Sequence, residues 1–92
     1  MNTIIAEMRT EYQLPPYLSD AAITAYIREG EAALHQLVPD ADYDGDSVYR
    51  SLLKSYAYYS YMHAQHDFWT NYKTSLLTWQ TERYRDLPED EV

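Results

Sequence analysis

The chain has 92 residues, a formal charge of −8, eleven tyrosines, two tryptophans and no cysteine. That length holds one domain rather than two, and without cysteine there is no disulfide, zinc-thiolate site or thiol nucleophile. Seven basic residues scattered among fifteen acids argue against simple binding to phosphate backbones, which needs clustered Lys and Arg to release counterions.

The opening Met1–Arg9 carries neither the basic stretch nor the apolar run of a signal peptide. No apolar run approaches the roughly 20 residues of a membrane span, so a soluble intracellular domain is expected. Ile4, Ile5, Met8 and Tyr12 recur at helical spacing and predict a short amphipathic helix over Thr3–Tyr12, stopped by Pro15–Pro16. Ser19 stands at an N-cap position, with Asp20 in the favourable first turn. Ile23, Tyr26, Ile27, Gly30, Leu34 and Leu37 then trace one helical face that Pro39 closes. Gly30 costs that helix about 1 kcal/mol in propensity, which marks a close approach to another helix. After an acidic loop, Pro39–Asp46, either Asp46 or Ser47 caps the next helix.

From Val48 to Arg85 there is no proline or glycine. Val48, Leu52, Tyr56, Tyr59 and His63 form one stripe; Trp69, Tyr72, Leu76, Trp79 and Arg83 form another. A single helix there would run to about 57 Å, longer than usual, so a break is expected near His63–Asp67. The reading is an all-α fold: a small bundle of three to four helices with short loops over residues 1–85, followed by an acidic flexible C-terminal tail, 86–92.

Three clusters invite chemistry. Asp40, Asp42, Asp44 and Gly45 match the opening of an EF-hand loop, but the twelfth position, where a bidentate glutamate belongs, is Ser51. A solvated turn capping a helix is the simpler reading, and these three aspartates remain a weak metal candidate. His63, His66 and Asp67 lack a further ligand from a neighbouring helix, and His35 pairs most simply with Glu31 four residues earlier. No serine sits in a strand–turn–helix elbow, and so small a bundle leaves little room for a cleft. Neither an enzyme nor a cofactor is expected.

The aromatic load carries more information. Tyr and Trp have large apolar bodies and polar tips, which suit surfaces that meet other proteins. A core this small supplies only a few kcal/mol net, and assembly is a common remedy. Tyr56, Tyr59, Trp69, Tyr72, Trp79 and Arg85 are the interface candidates, with Trp69, Tyr72 and Trp79 serving as core or inter-subunit anchors. The tail from Arg85 to Val92 is expected to order on a partner.

Leu52-Leu53, Tyr56, Tyr59, Ala64, Phe68, Asn71-Tyr72, Leu76-Leu77 and Gln80, with Ile23, Tyr26, Ile27 and Gly30 upstream, stand in an order that resembles the small head–tail connector (adaptor) proteins of tailed double-stranded-DNA phages. In that family a leucine pair leads a tyrosine-rich helix, and Phe-x-x-Asn-Tyr/Phe opens the last one. The chain departs from the pattern at His66-Asp67, where an acidic pair is common, and in its Asp-rich loop. The resemblance covers residues 3–84 and implies a head-completion protein that forms a ring, a cyclic homo-oligomer, on the portal protein and then receives a stopper or tail-completion protein. It implies residence in the virion after assembly from the host cytoplasm, with DNA passing nearby without specific binding and with no membrane. Two other classes stay open: an acidic helical binding or inhibitor module whose face mimics DNA and engages a basic protein, and a calcium-responsive helix–loop–helix protein.

Overall fold

A computed structural model describes residues 2–85, with the side chains of Tyr84 and Arg85 left aside. The described residues form five helices and no strand: α1 (Asn2–Glu11), α2 (Asp20–Leu34), α3 (Ser47–Tyr61), α4 (Gln65–Asn71) and α5 (Lys73–Arg85). The count exceeds the expected three to four because 48–85 is broken twice.

The first break falls near His63–Asp67, where excess length made one expected. Tyr61 ends α3, and His63 then adopts a left-handed backbone, φ 57°. Its N–H bonds Ser60 O at 3.0 Å, and the N–H of Ala64 bonds Tyr59 O at 2.8 Å. This paired closure satisfies two orphan carbonyls of the last turn. α1 ends the same way: Gln13 has φ 52°, and the N–H of Leu14 reaches Arg9 O at 3.3 Å. Leu14 is buried as it leaves, so the prolines that follow take over a chain already turned. A non-glycine residue in this conformation costs about 1–2 kcal/mol. His63 is exposed and gives up no packing. His63→Gly is therefore expected to stabilise the protein by about 1 kcal/mol, read as a higher urea midpoint; an unchanged or lower midpoint would contradict it.

The second break was not expected. Tyr72, with φ −107° and ψ 12°, separates α4 from α5. Its N–H still reaches Phe68 O at 2.9 Å, and its own carbonyl accepts from Leu76 at 2.8 Å. The chain bends there without losing hydrogen bonds.

α3 is the centre of the bundle. Ser19 caps α2 by accepting from Ala22 N, and Asp46 caps α3 by accepting from Val48 N and Tyr49 N. α2 buries Ile23, Ile27, Gly30 and Leu34 against α3. A Cβ on Gly30 would meet Leu53 Cδ1 at 2.9 Å and Tyr56 Cδ1 at 3.2 Å, so glycine sets how closely these helices pack. α1 closes the core with Ile4, Ile5 and Met8. Of the stripe expected on α3, Leu52 and Tyr56 are buried and Tyr59 is half-buried, but Val48 and His63 are exposed, and Tyr49, Leu53, Ala57 and Ser60 are buried as well. Helices pack around α3 on several sides and bury every residue from Leu52 to Ala57, a pattern no single stripe describes.

Candidate interaction surface

The candidate chemical clusters are put to structural use. Asp40 pairs with Arg83 at 2.8 Å, and that hydrogen bond holds its carboxyl below the usual range. Asp42 Oδ1 accepts from Asp44 N at 3.3 Å, and Asp44 lies 3.9 Å from Arg50. Asp46 Oδ1 caps α3 while its Oδ2 accepts from Trp79 Nε1 at 2.8 Å. The three loop aspartates thus turn to separate partners, and among the described residues no group of three or more His, Asp or Glu side chains is placed to share a metal ion. His63, His66 and Asp67 are all exposed.

His35 does not make the expected pair. Glu31 bonds Arg28 at 3.0 Å, whereas His35 Nε2 lies 2.9 Å from Ala41 O and 3.2 Å from the Tyr49 hydroxyl. The imidazole stacks on Tyr49, which stacks on Trp79 in turn. Burial pushes the Tyr49 phenol up to about 12. These three rings tie the acidic loop and α5 to the body.

Between α1 and α3 lies an ionic cluster that the sequence did not reveal. Glu7 receives Arg50 at 2.6 and 2.9 Å and Lys54 at 2.9 Å, and Lys54 also bonds Glu11 at 2.9 Å. Lys54 is almost fully buried, its ammonium kept charged by the two carboxylates. Hydrogen bonds from Arg50 and then Lys54 lower the Glu7 carboxyl from 4.5 to about 2. A carboxyl with a depressed folded value contributes stability above its unfolded value and loses it as pH falls through the folded one. Between about pH 4.5 and 2 the urea midpoint should fall. In Glu7→Gln that part of the profile should flatten, and an unchanged slope would count against the cluster.

Besides the Tyr49–Trp79 stack, two further groups of aromatic rings form. On one flank, Tyr12 of α1 stacks on Tyr58 at 4.5 Å; contacts then run from Tyr58 to Tyr61 and from Tyr61 to Tyr26 around the end of α3. All four rings are half-buried. On the other, Phe68 is enclosed by Tyr56, Tyr59, Trp69 and Tyr72 at centroid distances from 4.7 to 5.9 Å. α1 reaches α3 at Arg50, Lys54 and Tyr58, and α4 reaches it at Tyr56 and Tyr59. Lys54 and Tyr56, two residues apart, are turned about 200° around a helix, so the groups lie on opposite flanks. Ser55 Oγ sits at the seam between them, 3.1 Å from the Tyr12 hydroxyl and 3.3 Å from that of Tyr72.

Of the interface candidates, Tyr56 and Trp79 are core residues of the protomer. Tyr59 and Tyr72 are half-buried, and Trp69 stands at the surface, 36% exposed. The Arg85 side chain and the 86–92 tail lie outside the described residues. Tyr12, Tyr26, Tyr58 and Tyr61 on the first flank, and Leu37 and Leu77 on the second, were not among the interface candidates read from the sequence. The spacing of Tyr58 and Tyr61 was visible, but nothing local said that this side of α3 faces outward.

Two of the shallow depressions along α5 border the aromatic groups. One, of about 360 Å³, is lined by Ser47, Val48, Ser51, Ser55, Tyr72 and Ser75, among others. The second, of about 210 Å³, is apolar and is formed by Leu37, Trp69, Lys73, Leu76, Leu77 and Gln80. No described helix is long and apolar enough to cross a membrane. Compared with protein-family models, curated proteins and solved structures, the chain matches none.

Proposed function

We propose that this protein is a structural adaptor of a tailed-phage particle, assembling as a ring on the portal vertex and joining capsid to stopper or tail. The observation that carries the reading is the pair of uncovered aromatic and apolar surfaces on opposite flanks of α3. A cyclic ring needs head-to-tail contacts, with two different patches on each protomer, and patches rich in Tyr and Trp suit such contacts. The Tyr12–Tyr58 flank and the Trp69–Leu77 flank are two such patches. The net charge of −8 fits a conduit whose wall repels phosphate and lets the duplex slide. The spacing that resembles the connector family supplies the portal as partner.

A DNA-mimicking inhibitor is less well supported. Such a protein needs rows of available carboxylates, whereas Glu7, Glu11, Asp20, Glu31, Asp40 and Asp44 each face a cation of their own protomer.

The test is to mix the protein with the portal ring encoded in the same genome and examine the product by sedimentation and electron microscopy. A ring of copies stacked on the portal is expected. Absence of any portal complex at high concentrations of both would end the adaptor reading.

A further inference from the structure

We infer that two copies of this chain pair about a two-fold axis through Trp69, each bringing its Glu29 to Lys73 of the other. The inference stands on described side chains and does not need the adaptor reading.

Glu29 of α2 differs from the carboxylates that pair within the protomer. Its partners are neutral: Ser60 Oγ donates to it at 2.7 Å and Gln65 Nε2 at 3.2 Å, and the same Gln65 amide lies 3.4 Å from Ser60 Oγ. Ser60 is 1% exposed. The carboxylate is thus fixed in place, while no described cation lies within salt-bridge distance of it. Lys73 is the opposite case, an exposed ammonium with no described carboxylate as partner.

α4 spaces these two charges evenly about an aromatic ring. Gln65, Trp69 and Lys73 follow at intervals of four residues, about 6 Å each along a helix, which sets them on one side of it. The bend at Tyr72 does not part the last two, since Trp69 and Lys73 line the same depression. Glu29 is bonded at the Gln65 end. The order along this edge is anion, indole, cation, and the indole is 36% exposed.

Reversed, that order is its own complement. An antiparallel copy sets its anion opposite this cation, its cation opposite this anion, and indole against indole. Such a patch makes an isologous contact, in which residue i meets j and j meets i. A parallel copy would oppose like charges. Copies that each carry −8 repel one another, and one indole pair with two ion pairs falls well short of the roughly 1,200 Å² of a standard interface. The dimer is therefore a weak one. It covers the Trp69 side of the second flank, so under the adaptor reading free copies are kept from closing on one another away from a portal.

The experiment is sedimentation velocity of the full chain from about 10 μM to about 1 mM, the range of weak association. The native chain should pass from monomer to dimer and no further. Lys73→Glu alone, or Glu29→Lys alone, should need at least about tenfold more protein to dimerise, although the first makes the chain more acidic and the second less so. The chain carrying both reversals keeps the native net charge and should dimerise like the native one; so should the two single variants mixed one to one. Thermal melting checks that each variant folds. Should Glu29→Lys melt early, Glu29→Gln replaces it, leaving Ser60 an oxygen and removing only the charge, and should weaken the dimer several-fold. A native chain that stays monomeric throughout, or that grows beyond a dimer, overturns the proposal. Dimers of native strength from Lys73→Glu, Glu29→Lys or Glu29→Gln, or no recovery in the mixture, overturn it equally. With no portal present, none of these outcomes bears on the adaptor reading.

Discussion

Phe68→Ala should lower the stability of this protein by about 3–5 kcal/mol. Phe68 is 0% exposed and is the one buried residue of the seven-residue α4. Its ring stacks on Tyr72 at 4.7 Å and meets Tyr56 edge-on at 5.0 Å. Removing it leaves a cavity that aromatic neighbours, anchored on α3, on α4 and at the Tyr72 bend, cannot collapse to fill. The loss is a large fraction of the roughly 5–15 kcal/mol that holds a natural domain folded. For a chain of this size each kcal/mol moves the melting temperature by about 4–8 °C. Phe68→Leu, which keeps most of the apolar volume, should cost clearly less, about 1–2 kcal/mol. Guanidinium titrations of the three proteins decide the matter; a Phe68→Ala midpoint within error of the native one would mean α4 is not held by this ring.

Signals that act within one turn were legible in the sequence, and those set by neighbours were not. Ser19 and Asp46 were readable as caps because the chemistry of a cap needs only the residue and the two or three amides after it. Gly30 was readable as a contact point because glycine in a helix is unfavourable unless something approaches. The break near His63 followed from length, not from phase, since the two stripes nearly join. By contrast, the bend at Tyr72 carries no proline or glycine and keeps its hydrogen bonds, so it leaves no local mark. Lys54 looked like any surface lysine; only the arrival of Glu7 and Glu11 from α1 lets its charge go inside.

The candidate interaction surface was the hardest to place, for the same reason. Tyr56, Tyr58, Tyr59 and Tyr61 lie within six residues of one helix and point in almost every direction. Composition alone identifies them as boundary aromatics without saying which ring faces a neighbour. That is decided by α1 settling against Arg50, Lys54 and Tyr58, and by α4 settling against Tyr56 and Tyr59. Counting rings against core volume led to the expectation that some stay at the boundary. Tyr12, Tyr26, Tyr58 and Tyr61 remain half-exposed after the described helices have packed, and ring-on-ring contact covers them only in part.

Trp79→Ala should release α5 from the body while leaving α1 to α3 assembled. Among its described side chains α5 buries Leu76 and Trp79, and Trp79 is 3% exposed with its ring 5.6 Å from that of Tyr49. Its polar ties include Gln80 to Leu37 O at 3.1 Å and Arg83 to Asp40 at 2.8 Å. Polar ties at a surface are worth about 0–1 kcal/mol each, far less than the about 3–5 kcal/mol expected for the lost indole. Hydrogen exchange should therefore accelerate along α5 by orders of magnitude more than along α2 and α3. Trp79→Phe separates the two roles of the side chain, since a phenyl ring keeps the stack on Tyr49 and loses only the bond to Asp46, worth about 1–3 kcal/mol because the acceptor is charged. Asp46 keeps its capping oxygen in both variants, so α3 should begin where it does now. The same α5 forms one wall of the Trp69–Leu77 groove, and its release removes that wall. Trp79→Ala should thus abolish any contact made through this flank while sparing the Tyr12–Tyr58 flank. Uniform acceleration of exchange across all helices would instead make α5 an inseparable part of the folding unit, and the two flanks could then not be uncoupled by mutation.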